Sequence, residues 1–137
     1  VVCTAPLADY KIQQIIRMDV QNNVLYQKTL SAPKTVVDIS GAQSSPDGSV
    51  TLYGSAMANS RGLFTVFQLN LDAQGNVAAL DVRDFTTRAT YLYSVKLDAL
   101  GNAYVVAQDY KHPIAVVSFD ALPVCDNPGL TLTNGGI

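Results

Sequence analysis

The chemistry open to this chain rests on Asp. All eleven acidic residues are Asp, set beside one His and two Cys in 137 residues. A pair of carboxylates could serve glycoside hydrolysis, but the Asp positions speak first for geometry. Asp72 and Asp98 sit in nearly identical hexapeptides, LDAQGN (Leu71 to Asn76) and LDALGN (Leu97 to Asn102). In such a segment the Asp carboxylate accepts backbone N–H groups two residues on, and Gly takes the positive φ that closes a hairpin with a bulge. Asp72, Gly75 and Asn76, like Asp98, Gly101 and Asn102, are therefore expected to make turns. Asp81, Asp84 and Asp109 fall at strand ends as ordinary polar residues, so no catalytic pair is expected.

Other chemistry is weaker still. His112 lies between Lys111 and Pro113 in a polar loop, with no Ser or Cys nucleophile motif around it. Calcium wants several oxygen ligands gathered in one loop, and SSPDGS (Ser44 to Ser49) supplies a turn built on Pro46, Asp47 and Gly48 instead. No phosphate-cradling glycine loop occurs, and no metal or cofactor is expected. Tyr91, Tyr93, Tyr104, Tyr110, Phe64, Phe67 and Phe85 could form a carbohydrate platform, although aromatics in sheets mostly pack and pair across strands. Cys3 and Cys125 lie near opposite ends. They read either as two unrelated thiols or as a disulfide formed in an oxidising compartment. The second would stabilise by roughly 4–5 kcal/mol in the chain-entropy model, for a loop of about 120 residues.

The elements that carry these residues are strands. A chain rich in Tyr, Thr and Val, with Asp in place of Glu, favours strands and tight turns over helices. Lys11–Asp19 and Val24–Leu30 flank the turn at Gln21 to Asn23, where Asn22 stands in the Gly position. Thr35–Ser40 is expected to pair with Val50–Tyr53, and Ala58–Gly62 to be a polar connection. Phe64–Leu71 and Val77–Val82 flank one GN turn; Tyr91–Leu97 and Ala103–Ala107 flank the other. Ile114–Phe119 is the last expected strand. Phe119-Asp120-Ala121-Leu122 opens a further copy that Pro123 ends. Asp19, Asp47, Asp72, Asp98 and Asp120 serve as markers of a recurring interval that holds two strands. Two intervals make a unit of about four strands and about 50 residues, the size of a propeller blade.

The hairpin Ser94-Val95-Lys96-Leu97-Asp98 followed by Gly101-Asn102-Ala103-Tyr104-Val105-Val106 resembles a β-propeller repeat of secreted and cell-surface bacterial proteins. The resemblance covers roughly Thr35 to Asp120. It implies an all-β fold of antiparallel hairpin repeats, propeller-like, with about two and a half blades; a β-sandwich is the rival. Residues 1–125 are expected to form one repeat domain, and Asp126–Ile137 a linker or an exchangeable strand. Val1 in place of an initiator Met suits a processed or excised chain.

A net charge of -2 without a basic stripe argues against nucleic acid, and no apolar run is long enough for a membrane helix. The expected function is non-catalytic: a structural or adhesive module of an extracellular or cell-surface protein, meeting other protein modules, copies of itself or glycans. An accessory carbohydrate-binding domain of a secreted hydrolase is the alternative.

Overall fold

The computed structural model describes residues 2–6, 12–58, 63–85, 91–108 and 111–135. The described residues form eleven strands and one 3-10 turn, with no α-helix. The strands are β1 (Val2–Pro6), β2 (Ile12–Met18), β3 (Val24–Ser31), β4 (Val36–Ser44), β5 (Val50–Ala58), β6 (Leu63–Leu71), β7 (Val77–Asp84), β8 (Tyr91–Leu97), β9 (Ala103–Gln108), β10 (Ala115–Ser118) and β11 (Thr131–Asn134). They build three antiparallel sheets: a first of order β1-β2-β3-β11, a middle of order β4-β5-β6-β7, and a third of order β8-β9-β10. None closes on itself. The all-β expectation holds, and every expected hairpin is present. The connection expected at Ala58–Gly62 falls largely on residues 59–62, outside those described.

The hairpins form because four turns repeat one geometry. At Asp19, Ser45, Asp72 and Asp98 the backbone N–H donates to the carbonyl four residues on, at 2.9–3.0 Å. The fourth residue of each turn has positive φ: Asn22 66°, Gly48 92°, Gly75 85° and Gly101 84°. This corrects the repeat register. The second turn opens at Ser45 rather than Asp47, which makes the four openings almost evenly spaced along the chain. Asp47 works two places further in, accepting from the backbone and hydroxyl of Ser49 at 2.9 and 2.6 Å.

The middle sheet is buried on both faces, which its alternation makes possible. Leu52, Phe67, Leu69, Leu71 and Val82 pack with Ile15, Tyr26 and Leu30 of the first sheet. The intervening residues Tyr53 and Val66 pack with Val95, Val105, Ala107 and Phe119 on the side of the third sheet. Across the sheets, the strands that approach closely are β1 and β2 with β4, and β4 and β5 with β8. Two polar ties hold this inner side. Gln13 Nε2 donates to the Val37 carbonyl at 3.1 Å. A β-bulge at Ser40 turns its hydroxyl to accept the Val95 N–H at 3.1 Å. Bulky side chains, each no more than 1% exposed, fill the space between the sheets: Phe67 on the side of the first sheet, Phe85 and Phe119 on the side of the third.

Two strands differ from expectation. β1 pairs with β2 (Cys3 opposite Ile16), adding an unexpected strand to the first sheet. β11 lies in the tail read as a linker or exchangeable strand, and its partner is β3 of the same chain, with Leu132 opposite Leu30. The third sheet, in turn, has three strands among the described residues. Phe119-Asp120-Ala121-Leu122-Pro123 begins like the other turns, but Pro123 stands where Gly75 and Gly101 take positive φ. The proline ring locks φ at a negative value, so the turn cannot close. The chain makes a 3-10 turn at Phe119–Ala121 instead and leaves the sheet, with β10 as its edge.

Candidate functional site

The four turns gather at one end of the molecule. A Cβ added at Gly48 would lie 3.0 Å from the Ala73 Cβ; one at Gly101 would lie 3.9 Å from Gln43 Oε1. Arg17 Nη1 donates to the Gly48 carbonyl, and Gly75 lies against the Tyr26 ring and the Lys28 stem. The Asp carboxylates are consumed locally. Asp72 accepts the N–H groups of Gln74 and Asn76 at 2.9 Å each; Asp98 does the same with Leu100 and Asn102, and also takes the Asn102 amide at 3.0 Å. Asp19 accepts from Gln21 and Asn23.

These bonds hold the carboxyls below the ordinary Asp range. The largest contribution is the Asn23 amide for Asp19, the Asn76 N–H for Asp72 and the Asn102 amide for Asp98. For Asp47 it is the Ser49 hydroxyl. A carboxylate stabilised in its charged form by turn N–H groups is a poor proton carrier near neutrality. Asp72, Gly75, Asn76, Asp98, Gly101 and Asn102 thus sit where the sequence puts them, as turn-makers.

The aromatic candidates scatter. Phe67 and Phe85 are buried in different cores, and Phe64 packs half-buried against the second. Tyr104 is half-buried on the outward face of the third sheet, opposite Lys96 and Ser118. The side chains of Tyr91 and Tyr93, and residues Asp109 and Tyr110, lie outside the described residues. His112 is exposed. No group of three or more His, Cys or Asp able to hold a metal ion occurs among the described residues, and no described helix is long and apolar enough to cross a membrane.

Cys125 is a free thiol, half-buried against the core between the first and middle sheets. Burial, with Asp84, Asp126 and Asp81 nearby, pushes the thiol's pKa up. The expected bond to Cys3 is not shown; Cys3 pairs by its backbone with Ile16, and its side chain lies outside the described residues. What fixes the tail is a clasp on β7. Asp84 N–H donates to the Pro123 carbonyl at 2.9 Å, Cys125 N–H to the Val82 carbonyl at 3.0 Å, and Arg83 and Val124 form a bridge.

Arg83 is the centre of that clasp, and sequence reasoning passed it over. Its Nε and Nη2 grip Asp81 at 2.8 and 3.0 Å. Its Nη1 donates to the Asp120 and Leu122 carbonyls at 3.2 and 2.9 Å. Its guanidinium lies 5.2 Å from the Phe119 ring centroid. The only sequence signal was Asp81-x-Arg83, which a strand places on one face.

Among the described residues, the third and first sheets each present a face that no other sheet covers. On the third, Ser94, Val106 and Val116 form one cross-strand row, and Val116 is 62% exposed. On the first, the half-buried Ile16 stands opposite Gln27 and Gln14 opposite Thr29, and Thr29 itself is buried there with its hydroxyl on the Gly135 carbonyl. The candidate site is therefore a pair of sheet faces and the edge strand β10. No protein-family model, curated protein or solved structure matches this chain.

Proposed function

We propose that this chain is a non-catalytic, propeller-like structural module of a secreted or cell-surface protein, working in protein assembly. One observation carries the reading: among the described residues the middle sheet is covered on both faces, while its neighbours keep an outward face open and β10 is an edge strand. A sheet of this repeat is at home between two others. The close approach of strands at β4, with Phe85 and Phe119 filling the space beside β7, supports a fan of sheets over a flat sandwich, whose layers stay about 10 Å apart. The local use of the turn Asp residues supports a structural role for them. The secreted or surface setting follows from the resemblance of the Val95–Val106 hairpin to surface-protein repeats.

A glycan-binding reading draws on Tyr104, an aromatic on an accessible sheet face. Light scattering and a glycan array, run on the same preparation, separate the two. The assembly reading expects a mass above one chain and no saturable glycan signal. A monomer whose saturable glycan binding vanishes in Tyr104→Ala would replace it with the carbohydrate-binding reading.

A further inference from the structure

Building on the propeller-like reading above, we infer that two copies of this chain close into one ring of six sheets, the outward face of each third sheet seated on the outward face of the other copy's first sheet. The occupant of each open face is thus the opposite face of a second copy.

The first argument is where the chain stops adding strands. Pro123 aborts the turn that would give the third sheet its fourth strand, and the Arg83 clasp carries the tail back across β7 to pair β11 with β3. The first and middle sheets end with four strands, the third with three, and the stack has two dissimilar ends. Dissimilar ends meet head to tail, and such contacts form a closed ring when the rotation between units completes a circle. Two copies of three sheets that converge on β4 make six, and propellers close with about four to eight blades.

The second argument is chemical match. The third-sheet face offers Ser94, Val106 and Val116, with Tyr104 and Lys96 beside them. The first-sheet face offers Gln14, Ile16 and Gln27, none of them charged; Thr29 beside them is buried, its hydroxyl donating to the Gly135 carbonyl at 2.8 Å. Facing each other, they set Val against Ile and bring no like charges together. Gln13, the neighbour of Gln14, already ties the other side of the first sheet to β4 through the Val37 carbonyl. The same residue type at the seam has the reach to do the same for a partner.

The third argument is area. A face of three strands, each about six residues long, measures roughly 20 Å by 14 Å, on the order of 300 Å². One seam between two copies then buries on the order of 600 Å², short of the roughly 1,000 Å² a stable interface needs. A closed two-fold ring has two such seams and buries on the order of 1,200 Å². Closure, rather than a single contact, makes the pair stable.

Sedimentation equilibrium on the full chain tests this. Wild type is expected at twice the 14.6 kDa chain mass. Ile16→Asp on one face and Val116→Asp on the other should each weaken dimerisation by at least tenfold. An equimolar mixture of Ile16→Asp with Val116→Lys should recover a dimer, because one seam is unaltered and the other opposes opposite charges. Circular dichroism checks that each variant folds; should the Asp variants fail to fold, Gln14→Arg and Ser94→Arg, at half-exposed polar positions, put the same question. A dimer that survives at the first-sheet face but not at Val116 would mean edge pairing through β10, overturning the ring while leaving the assembly reading intact. So would open-ended polymers. A monomeric wild type would overturn the ring, and together with glycan binding would overturn the assembly reading too.

Discussion

Two glycines in matching turns are predicted to respond very differently to Ala. Gly75 and Gly101 have φ of 85° and 84°, so Ala at either is forced into a left-handed conformation that costs about 1–2 kcal/mol. They differ in what lies above them. At Gly101 the nearest atom to an added Cβ is Gln43 Oε1 at 3.9 Å, ordinary contact. At Gly75 the Cβ would lie 2.8 and 2.9 Å from Tyr26 Cγ and Cδ1, and 3.0 Å from Lys28 Cε. Tyr26 is only 8% exposed, so its ring cannot swing away, and overpacking adds about 1–3 kcal/mol. Gly101→Ala should therefore cost about 1–2 kcal/mol and Gly75→Ala about 2–5 kcal/mol. In a chain of this length each kcal/mol lowers the melting temperature by about 4 °C. Thermal melts of both variants at one protein concentration provide the assay. Equal losses, within about 0.5 kcal/mol, would refute the packing of the first sheet against the Asp72–Asn76 turn.

Three further outcomes are expected. Arg83→Met removes the grip on Asp81, two charge-assisted bonds to carbonyls and the stacking on Phe119; with the half-exposed Asp81 pair discounted, the loss is about 2–3 kcal/mol, and limited proteolysis should cut first between Asp120 and Leu130. The turn Asp residues have pKa values depressed below the unfolded value, so their contribution is present above about pH 4 and is lost as pH falls through the lower folded values. Melting temperature should be flat from neutrality to about pH 5 and drop below that, and Asp98→Ala should shrink the drop. Cys125, with its pKa raised, should be alkylated by iodoacetamide more slowly than an exposed thiol at neutral pH and catch up as pH rises, read by peptide mass spectrometry; instant labelling would contradict its burial.

The parts legible in the sequence were those that local chemistry dictates. Asp72, Gly75, Asp98 and Gly101 announce their turns because few other residues satisfy the N–H groups and the positive φ there. Ser45 disguised the second turn, since a hydroxyl-bearing residue opens it and the Asp comes two places later. β1 was hidden by brevity, five residues ending at Pro6; β11 was legible as a linker or exchangeable strand, but its partner, β3 of the same chain, lies about 100 residues away and left no local signal. Layering was hidden for another reason. A sheet covered on both faces has apolar residues at both parities, as in Phe64, Val66, Phe67 and Leu69, which blurs the alternation that would assign them to one core. The outward faces left no pattern of their own, because Ile16 and Val116 read like any strand residue until the sheets are stacked.

Amide hydrogen exchange, followed by mass spectrometry in dilute and in concentrated solution, tests the open stack most directly. In dilute solution β5 and β6 should be the slowest segments, with β10 exchanging far faster at the edge of its sheet. On concentration, protection should rise together in the first and third sheets and leave the middle sheet unchanged. Protection of β10 equal to that of β5 in dilute solution, or a gain confined to the middle sheet, would contradict the account.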